Sequence, residues 1–127
     1  MIGSTRALQV YAYSKVTDMR KGYEGLGALV RQKLKSDPLS GNLYLFVNRR
    51  RNRAKVLLYD GTGMCIYMKR LDKGLFAAPW AKGNGESLPL TVSELALFLE
   101  GSELVFWRPL SPEPLPPPQM RVAATLR

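Results

Sequence analysis

The chain has 127 residues, a length that favours one folded domain, and 46% of them are hydrophobic, which is enough to build a core. Its 19 Lys and Arg exceed its 10 Asp and Glu, so the formal net charge of +9 favours polyanionic partners such as nucleic acid. Histidine is absent and Cys65 is the one cysteine, which excludes Ser-His and Cys-His catalytic pairs, an intrachain disulfide and a cysteine-rich zinc site.

The sequence also predicts where the protein is located and whether its thiol is reactive. It has no run of about 20 apolar residues, the length that spans a bilayer, and its N-terminus has no apolar segment of signal-peptide length. We therefore expect a cytoplasmic protein that does not enter a membrane. Because Cys65 lies in a strand-like run with Met64 and Ile66, we expect an inert, buried thiol.

The first third of the chain predicts a strand followed by a helix. Alternating apolar and aromatic residues predict a strand from Leu8 to Tyr13, and Ser14 to Thr17 then predict a turn. Apolar residues spaced three and four apart predict an amphipathic helix from Tyr23 to Lys35, with Asp18 or a neighbouring residue as its cap. The helix should end by Asp37-Pro38, since proline disfavours helical geometry in the preceding residue.

The middle of the chain predicts a run of strands. Three segments rich in Leu, Val, Ile, Phe and Tyr cover residues 42–47, 55–59 and 64–69. Asp60-Gly61 between the last two is typical of a tight hairpin, so an antiparallel meander is predicted. We expect one more strand at Leu75 to Phe76, extended toward Trp80, and a loop from Lys82 to Glu86.

The last third predicts a short helix and a tail. Thr91 and Glu94 have the spacing of a capping box, and a helix over Leu95 to Leu99 should stop near Gly101. Six prolines between residues 109 and 118 favour an extended tail. The predicted fold class is therefore α+β: a small antiparallel β-meander sheet packed by one amphipathic helix, with a short second helix. Residues 1–108 form the predicted domain, and residues 109–127 the proline-rich tail.

The densest binding signal is a run with five basic residues in seven positions between two predicted strands. Arginine binds phosphate in bidentate fashion or enters a DNA groove, so this loop is a candidate nucleic-acid site, although a merely solubilising loop has the same pattern. The candidate residues are Arg49, Arg50, Arg51, Arg53 and Lys55, joined by Lys69, Arg70 and Lys73, with Arg20 and Lys21 as secondary candidates.

Aromatic residues alternate with the basic segments, and they have two interpretations. Stacking on nucleobases is one, but aromatic side chains in strands more often pack in the core or across strands, and we favour the core. The residues concerned are Tyr44, Phe46, Tyr59, Tyr67 and Trp80.

Carboxylates are the remaining residues that would support catalysis, because metal-dependent nucleases hold divalent cations with several of them. Asp18 and Glu94 fit helix starts, and Asp37 and Asp60 fit turns, so most acidic residues have local roles. We predict a protein that is not an enzyme and has no metal site and no cofactor.

Six segments in a fixed order resemble the TnpB accessory proteins of the insertion-sequence sixty-six family. The resemblance covers about residues 10 to 101 and excludes the tail after Trp107. Its segments are Thr17 to Val30, Asp37 to Gly41, Leu45 to Arg51, Lys55 to Gly63, Lys69 to Phe76 and Leu95 to Gly101. The resemblance implies a role in bacterial transposition beside a separate, much larger transposase that carries the strand-transfer chemistry.

Three hypotheses follow for the molecular role. The first is a non-catalytic accessory factor that binds DNA, either element ends or nonspecific duplex, through the basic loop. The second is an adaptor that binds the transposase of the same element without contacting DNA, with the basic loop steering association. The third, which we favour least, is a metal-dependent nuclease.

Overall fold

The computed structural model describes residues 8–81 and 85–101, which form a sheet with helices on both faces. The predicted proline-rich tail, 109–127, lies outside the described residues. The strands are β1 (Val10–Val16), β2 (Leu43–Val47), β3 (Arg53–Tyr59), β4 (Met64–Arg70) and β5 (Ser87–Leu90). The helices are α1 (Tyr23–Gln32) and α2 (Val92–Leu99), and a short 3-10 helix covers Pro79–Ala81.

The five strands form one mixed sheet in the order β4-β3-β2-β1-β5. The α+β class is confirmed, and β2, β3 and β4 form the predicted antiparallel meander. The sheet is larger than the meander, because β1 pairs parallel with β2 and β5 pairs antiparallel with β1. Helix α1 connects β1 to β2, which is the crossover that a parallel pair requires.

Each face of the sheet has its own apolar cluster, because successive strand side chains point to opposite sides. On one face, Leu26 and Val30 of α1 pack with Tyr44 and Phe46 of β2. On the other face, Phe98 of α2 packs with residues 76–77. It also packs with strand residues whose side chains point to that face, such as Leu45 and Val47 of β2. We refer to these as the α1 face and the α2 face. The sheet is thus the central layer of the molecule.

The predicted strand from Leu75 toward Trp80 is wrong. Phe76 is fully buried on the α2 face and stacks on Phe98, with ring centroids 4.8 Å apart, and the chain then forms the 3-10 helix. The fifth strand is β5, which the sequence patterns did not indicate because Pro89 interrupts it. Proline is accommodated there because β5 lies at the edge of the sheet.

The first strand and first helix differ from their predicted bounds. Strand β1 continues through the predicted turn, since Ser14 is buried and its N–H donates to the Glu86 carbonyl at 3.0 Å. Helix α1 ends at Gln32 rather than at Lys35, whose φ of 53° lies in the left-handed region.

The two helices begin differently. The predicted Asp18 cap of α1 is wrong, since Gly22 is the N-cap and has no side chain to bond. The capping box of α2 is confirmed: the Glu94 N–H donates to the Thr91 hydroxyl at 3.0 Å, and the Thr91 N–H donates to the Glu94 carboxylate at 2.8 Å. Helix α2 therefore has a local start signal, whereas the start of α1 depends on packing.

Candidate nucleic-acid interface

The carboxyl ends of the parallel strands β1 and β2 meet at one end of the sheet. Val16 lies opposite Val47, and the Thr17 N–H donates to the Val47 carbonyl at 2.9 Å. The loop after β1 and the turn between β2 and β3 both leave from this end, where β3 also begins and antiparallel β4 ends. In open, mostly parallel α/β sheets, ligands bind outside the carboxyl ends of the strands, and β1 and β2 form one parallel pair of that type here.

Of the 14 basic residues that the structure describes, nine lie at this end of the sheet. Its carboxylates are Asp18, Glu24 and Asp72, so the local balance is strongly positive. We name this surface the basic end. Its residues are Arg20, Lys21, Arg49, Arg50, Arg51, Arg53, Lys55, Arg70 and Lys73.

The turn between β2 and β3 is held by the side chain of Asn48. Its Oδ1 accepts hydrogen bonds from the N–H of Asn52 at 3.1 Å and of Arg53 at 3.0 Å. Its Nδ2 donates to Oδ1 of Asn52 at 2.8 Å. Arg49 and Arg50 are exposed within this braced turn, so their backbone positions are set before any ligand binds.

The segment after β4 packs along the same turn. The Leu71 N–H donates to the Asn52 carbonyl at 2.9 Å, and the Phe76 N–H donates to the Arg51 carbonyl at 2.7 Å. Lys73 lies between these two anchors and is exposed. The structure therefore brings Lys73 to the turn between β2 and β3, residues 48–52, although the two are more than twenty positions apart in the sequence. We name residues 48–52 the arginine turn.

Arg53 and Arg70 lie directly opposite each other on β3 and β4, and both are exposed. Residues 52 and 71, next to this pair, are joined by a backbone hydrogen bond, so Arg53 and Arg70 form a non-hydrogen-bonded pair, the closer of the two antiparallel arrangements. Like charges at directly opposite positions are destabilising, by roughly 0.2–1 kcal/mol. The fold thus places two cations next to each other although their repulsion lowers its stability.

Lys55 links the meander to the loop after β1. It lies on the α1 face, and its Nζ donates to the Lys21 carbonyl at 2.8 Å. The secondary candidates Arg20 and Lys21 are thereby placed beside the main basic residues. Arg20 donates to Asp18 at 2.7 Å, and this guanidinium holds the pKa of Asp18 well below its usual range.

Lys69 is separated from the other predicted residues. It lies opposite Ala54 on the α2 face, and its Nζ donates to the Leu99 carbonyl at 2.7 Å. A cation bonded to the last carbonyls of a helix stabilises the helix end. We therefore assign Lys69 to the C-terminus of α2 and not to the basic end.

The acidic and sulfur groups of the described residues lie mostly at turns and helix starts. No group of three or more His, Cys, Asp or Glu that would hold a metal occurs in residues 8–81 and 85–101. Asp60 accepts from the N–H groups of Thr62 and Gly63, both at 2.9 Å, and these bonds lower its pKa to about 2. Cys65 is half-buried rather than fully buried, and its thiol contacts the Asp60 carboxylate at 3.6 Å. Burial and that carboxylate raise the pKa of the thiol, which favours its protonated form.

The aromatic residues divide between the core and the surface. Tyr44 and Phe46 are fully buried, as the core interpretation predicted. Tyr59 and Trp80 are half-buried, and Tyr67 is 51% exposed on the α2 face of β4. Arg53 and Arg70 lie on the opposite face, so Tyr67 does not combine with them into a stacking platform.

No sequence pattern indicates the bracing role of Asn48, although this residue directly precedes the arginine run. We expect Asn48→Ala to lower the free energy of unfolding by about 1–3 kcal/mol, because the N–H groups it satisfies lose their acceptor. Affinity for DNA should fall although every basic residue is retained. Chemical denaturation and fluorescence anisotropy measure the two effects. Asn48→Asp keeps the accepting oxygens and should lose less stability; equal losses in both variants would contradict this role.

The amino-acid sequence is similar to those of known proteins. The family model described as IS66 Orf2 like protein matches residues 8–108. The uncharacterized protein y4hO of Sinorhizobium fredii is 35% identical over 108 residues, which is 85% of this chain and 90% of the relative. The uncharacterized protein y4jC of the same organism is 34% identical over 101 residues, 80% of this chain and 85% of the relative. No solved structure gives a significant match.

Within the described part of the chain, no helix has the length and apolar character needed to cross a membrane.

Proposed function

Because the chain belongs to the IS66 Orf2-like family of transposition accessory proteins, we propose that it is a non-catalytic factor that binds duplex DNA through the basic end. The observation that carries the proposal is the close pairing of Arg53 with Arg70 at the end of the sheet where the exposed Arg49 and Arg50 also lie. A polyanion would relieve the repulsion between these cations.

The geometry favours phosphate contacts as the main source of affinity. Arginine and lysine side chains at the basic end are mostly exposed and lie on one turn, two strand ends and two adjoining loops. Contacts of this kind position a protein on DNA without reading its sequence. The arginine turn is the part that would reach base edges, because a two-stranded β-ribbon fits the major groove.

The rigidity of the turn distinguishes this proposal from a solubilising loop. A solubilising loop needs only exposed charge, whereas this turn is braced by Asn48 and anchored to the segment around Phe76. Ordered donors lose less conformational entropy on binding than mobile ones, and this increases affinity.

Fluorescence anisotropy with element-end and random duplexes of equal length tests the proposal. We expect both to bind, with affinity that falls steeply as salt rises. A ratio between the two affinities near one would mean phosphate contacts alone, and a large ratio would mean base readout by the turn. Absence of salt-dependent binding to either duplex, with co-purification of the transposase in nuclease-treated extracts, would replace DNA binding with the adaptor role.

A further inference from the structure

The two edges of the sheet differ in how well they are protected. Strand β5 has four residues and contains Pro89, and short length and proline are both devices that prevent edge pairing. Strand β4 has seven residues, all in continuous register with β3, and its first five, Met64 to Met68, carry no charge and no proline. An edge of this kind is a template for another strand.

The hydrogen bonds of the hairpin show which backbone groups of β4 are open. The Leu71 N–H donates to the Asn52 carbonyl, and the Asp60 N–H donates to the Gly63 carbonyl. Because antiparallel pairs alternate between bonded and non-bonded, residues 65, 67 and 69 bond to β3. The N–H and C=O groups of residues 64, 66, 68 and 70 therefore point away from the sheet. Among the described residues, no strand lies beyond β4.

Apolar side chains are exposed on both faces of this edge. Tyr67 is 51% exposed on the α2 face, and Met68 is 52% exposed on the α1 face.

The two ends of β4 carry opposite charge. Asp60 lies next to the start of β4, where it contacts Cys65, and Lys69 and Arg70 lie at the end of the strand.

We propose that β4 pairs antiparallel with β4 of a second copy of this chain, with the two-fold axis beside Tyr67. In this register Tyr67 lies opposite Tyr67 of the second copy, and Ile66 lies opposite Met68 of the second copy. The outward groups of residues 64, 66, 68 and 70 then bond to the same groups of the other strand. Antiparallel pairing places Lys69 and Arg70 of each copy beside the Asp60 end of the other, whereas parallel pairing would align like charges.

The dimer joins two sheets into one of ten strands, with the basic ends at opposite ends. The two Arg70 residues would be separated by six strand positions, or about 20 Å along the strands. If the basic end binds DNA as proposed above, one dimer contacts two duplexes. Self-association itself does not depend on that proposal and is measured without DNA.

A proline at position 68 tests the edge directly. The Met68 N–H points outward, so Met68→Pro removes two bonds of the proposed dimer, one from each copy, and none of the ladder with β3. Met68→Ala is the matched control, since it loses the same side chain and keeps the N–H. By sedimentation equilibrium without DNA, we expect dimers for the unaltered protein and Met68→Ala, and at least a tenfold weaker association for Met68→Pro. Circular dichroism and thermal melting show whether each variant is folded.

A cross-link tests the register. In the Cys65→Ser background, Tyr67→Cys places two thiols at a directly opposite, non-hydrogen-bonded pair, where Cα atoms are about 4.5 Å apart and a disulfide forms. Leu97→Cys in the same background is the control, because Leu97 is 48% exposed on α2 and is not a residue of β4. We expect mild oxidation to give at least tenfold more dimer from the first variant.

Either measurement can overturn the proposal. A protein that is monomeric in sedimentation equilibrium would overturn it. So would a β4 edge that is covered by the chain's own residues after Gly101 or by the transposase. A dimer that Met68→Pro leaves unchanged, or cross-linking equal to that of the control, would also do so. Loss of DNA binding with an intact dimer would contradict the proposed function alone, and a monomer that still binds DNA would contradict the dimer alone.

Discussion

Replacing Arg53 and Arg70 together with alanine is expected to lower affinity for duplex DNA about 100-fold at low salt. Each charge-assisted hydrogen bond to a phosphate contributes about 1.5 kcal/mol, which corresponds to roughly tenfold per arginine. The slope of log affinity against log salt should become shallower by about 2, since two phosphate contacts are lost. Anisotropy titrations at several salt concentrations measure both quantities.

Stability and a charge-matched control separate this effect from damage to the fold. Because the two arginines repel each other, the double variant should be as stable as the unaltered protein or more stable, by up to about 1 kcal/mol. Arg31→Ala with Lys33→Ala removes the same charge from the exposed C-terminal end of α1 and should weaken binding less than about threefold. Equal loss in both double variants would mean that net charge, and not the basic end, determines binding.

Phe98→Ala is expected to lower the free energy of unfolding by about 3–5 kcal/mol. Phe98 is fully buried and stacks on Phe76, so the substitution leaves a cavity between α2 and the sheet. Since domains of this size are typically stable by about 5–15 kcal/mol, the variant would be partly unfolded in mild denaturant. Urea denaturation followed by circular dichroism measures the change.

Leu97→Ala is the control for Phe98→Ala. It lies on the same helix, is 48% exposed, and should cost less than about 1 kcal/mol. If Phe98→Ala were as mild as Leu97→Ala, α2 would not be part of the core. The α2 face would then depend on other contacts.

Local patterns predicted most of the elements, for identifiable reasons. The capping box of α2 uses groups only three residues apart, so the sequence shows it directly. The hairpin at Asp60-Gly61 and the alternation of β2 to β4 are likewise local. No local pattern indicates strand β5 or the end of β1, because distant partners place Pro89 and Ser14 in strands.

The candidate site was only partly predictable. The arginine run is apparent from the amino-acid sequence, but the role of Asn48 depends on a turn that closes around it. Lys69 and Arg70 are neighbours in sequence, yet the pleat of β4 directs them to opposite faces, one to the end of α2 and one to Arg53.

Composition and short-range order are enough to predict the family, the α+β class, the excess of positive charge and the residues that carry most of it. The grouping of basic residues at one end of the sheet follows from long-range contacts. The residues concerned are Arg20, Lys21, Arg53, Arg70 and Lys73. That grouping depends on the parallel pairing of β1 with β2 and on the register of β3 with β4. Such contacts join residues far apart in the chain, and no local pattern specifies them.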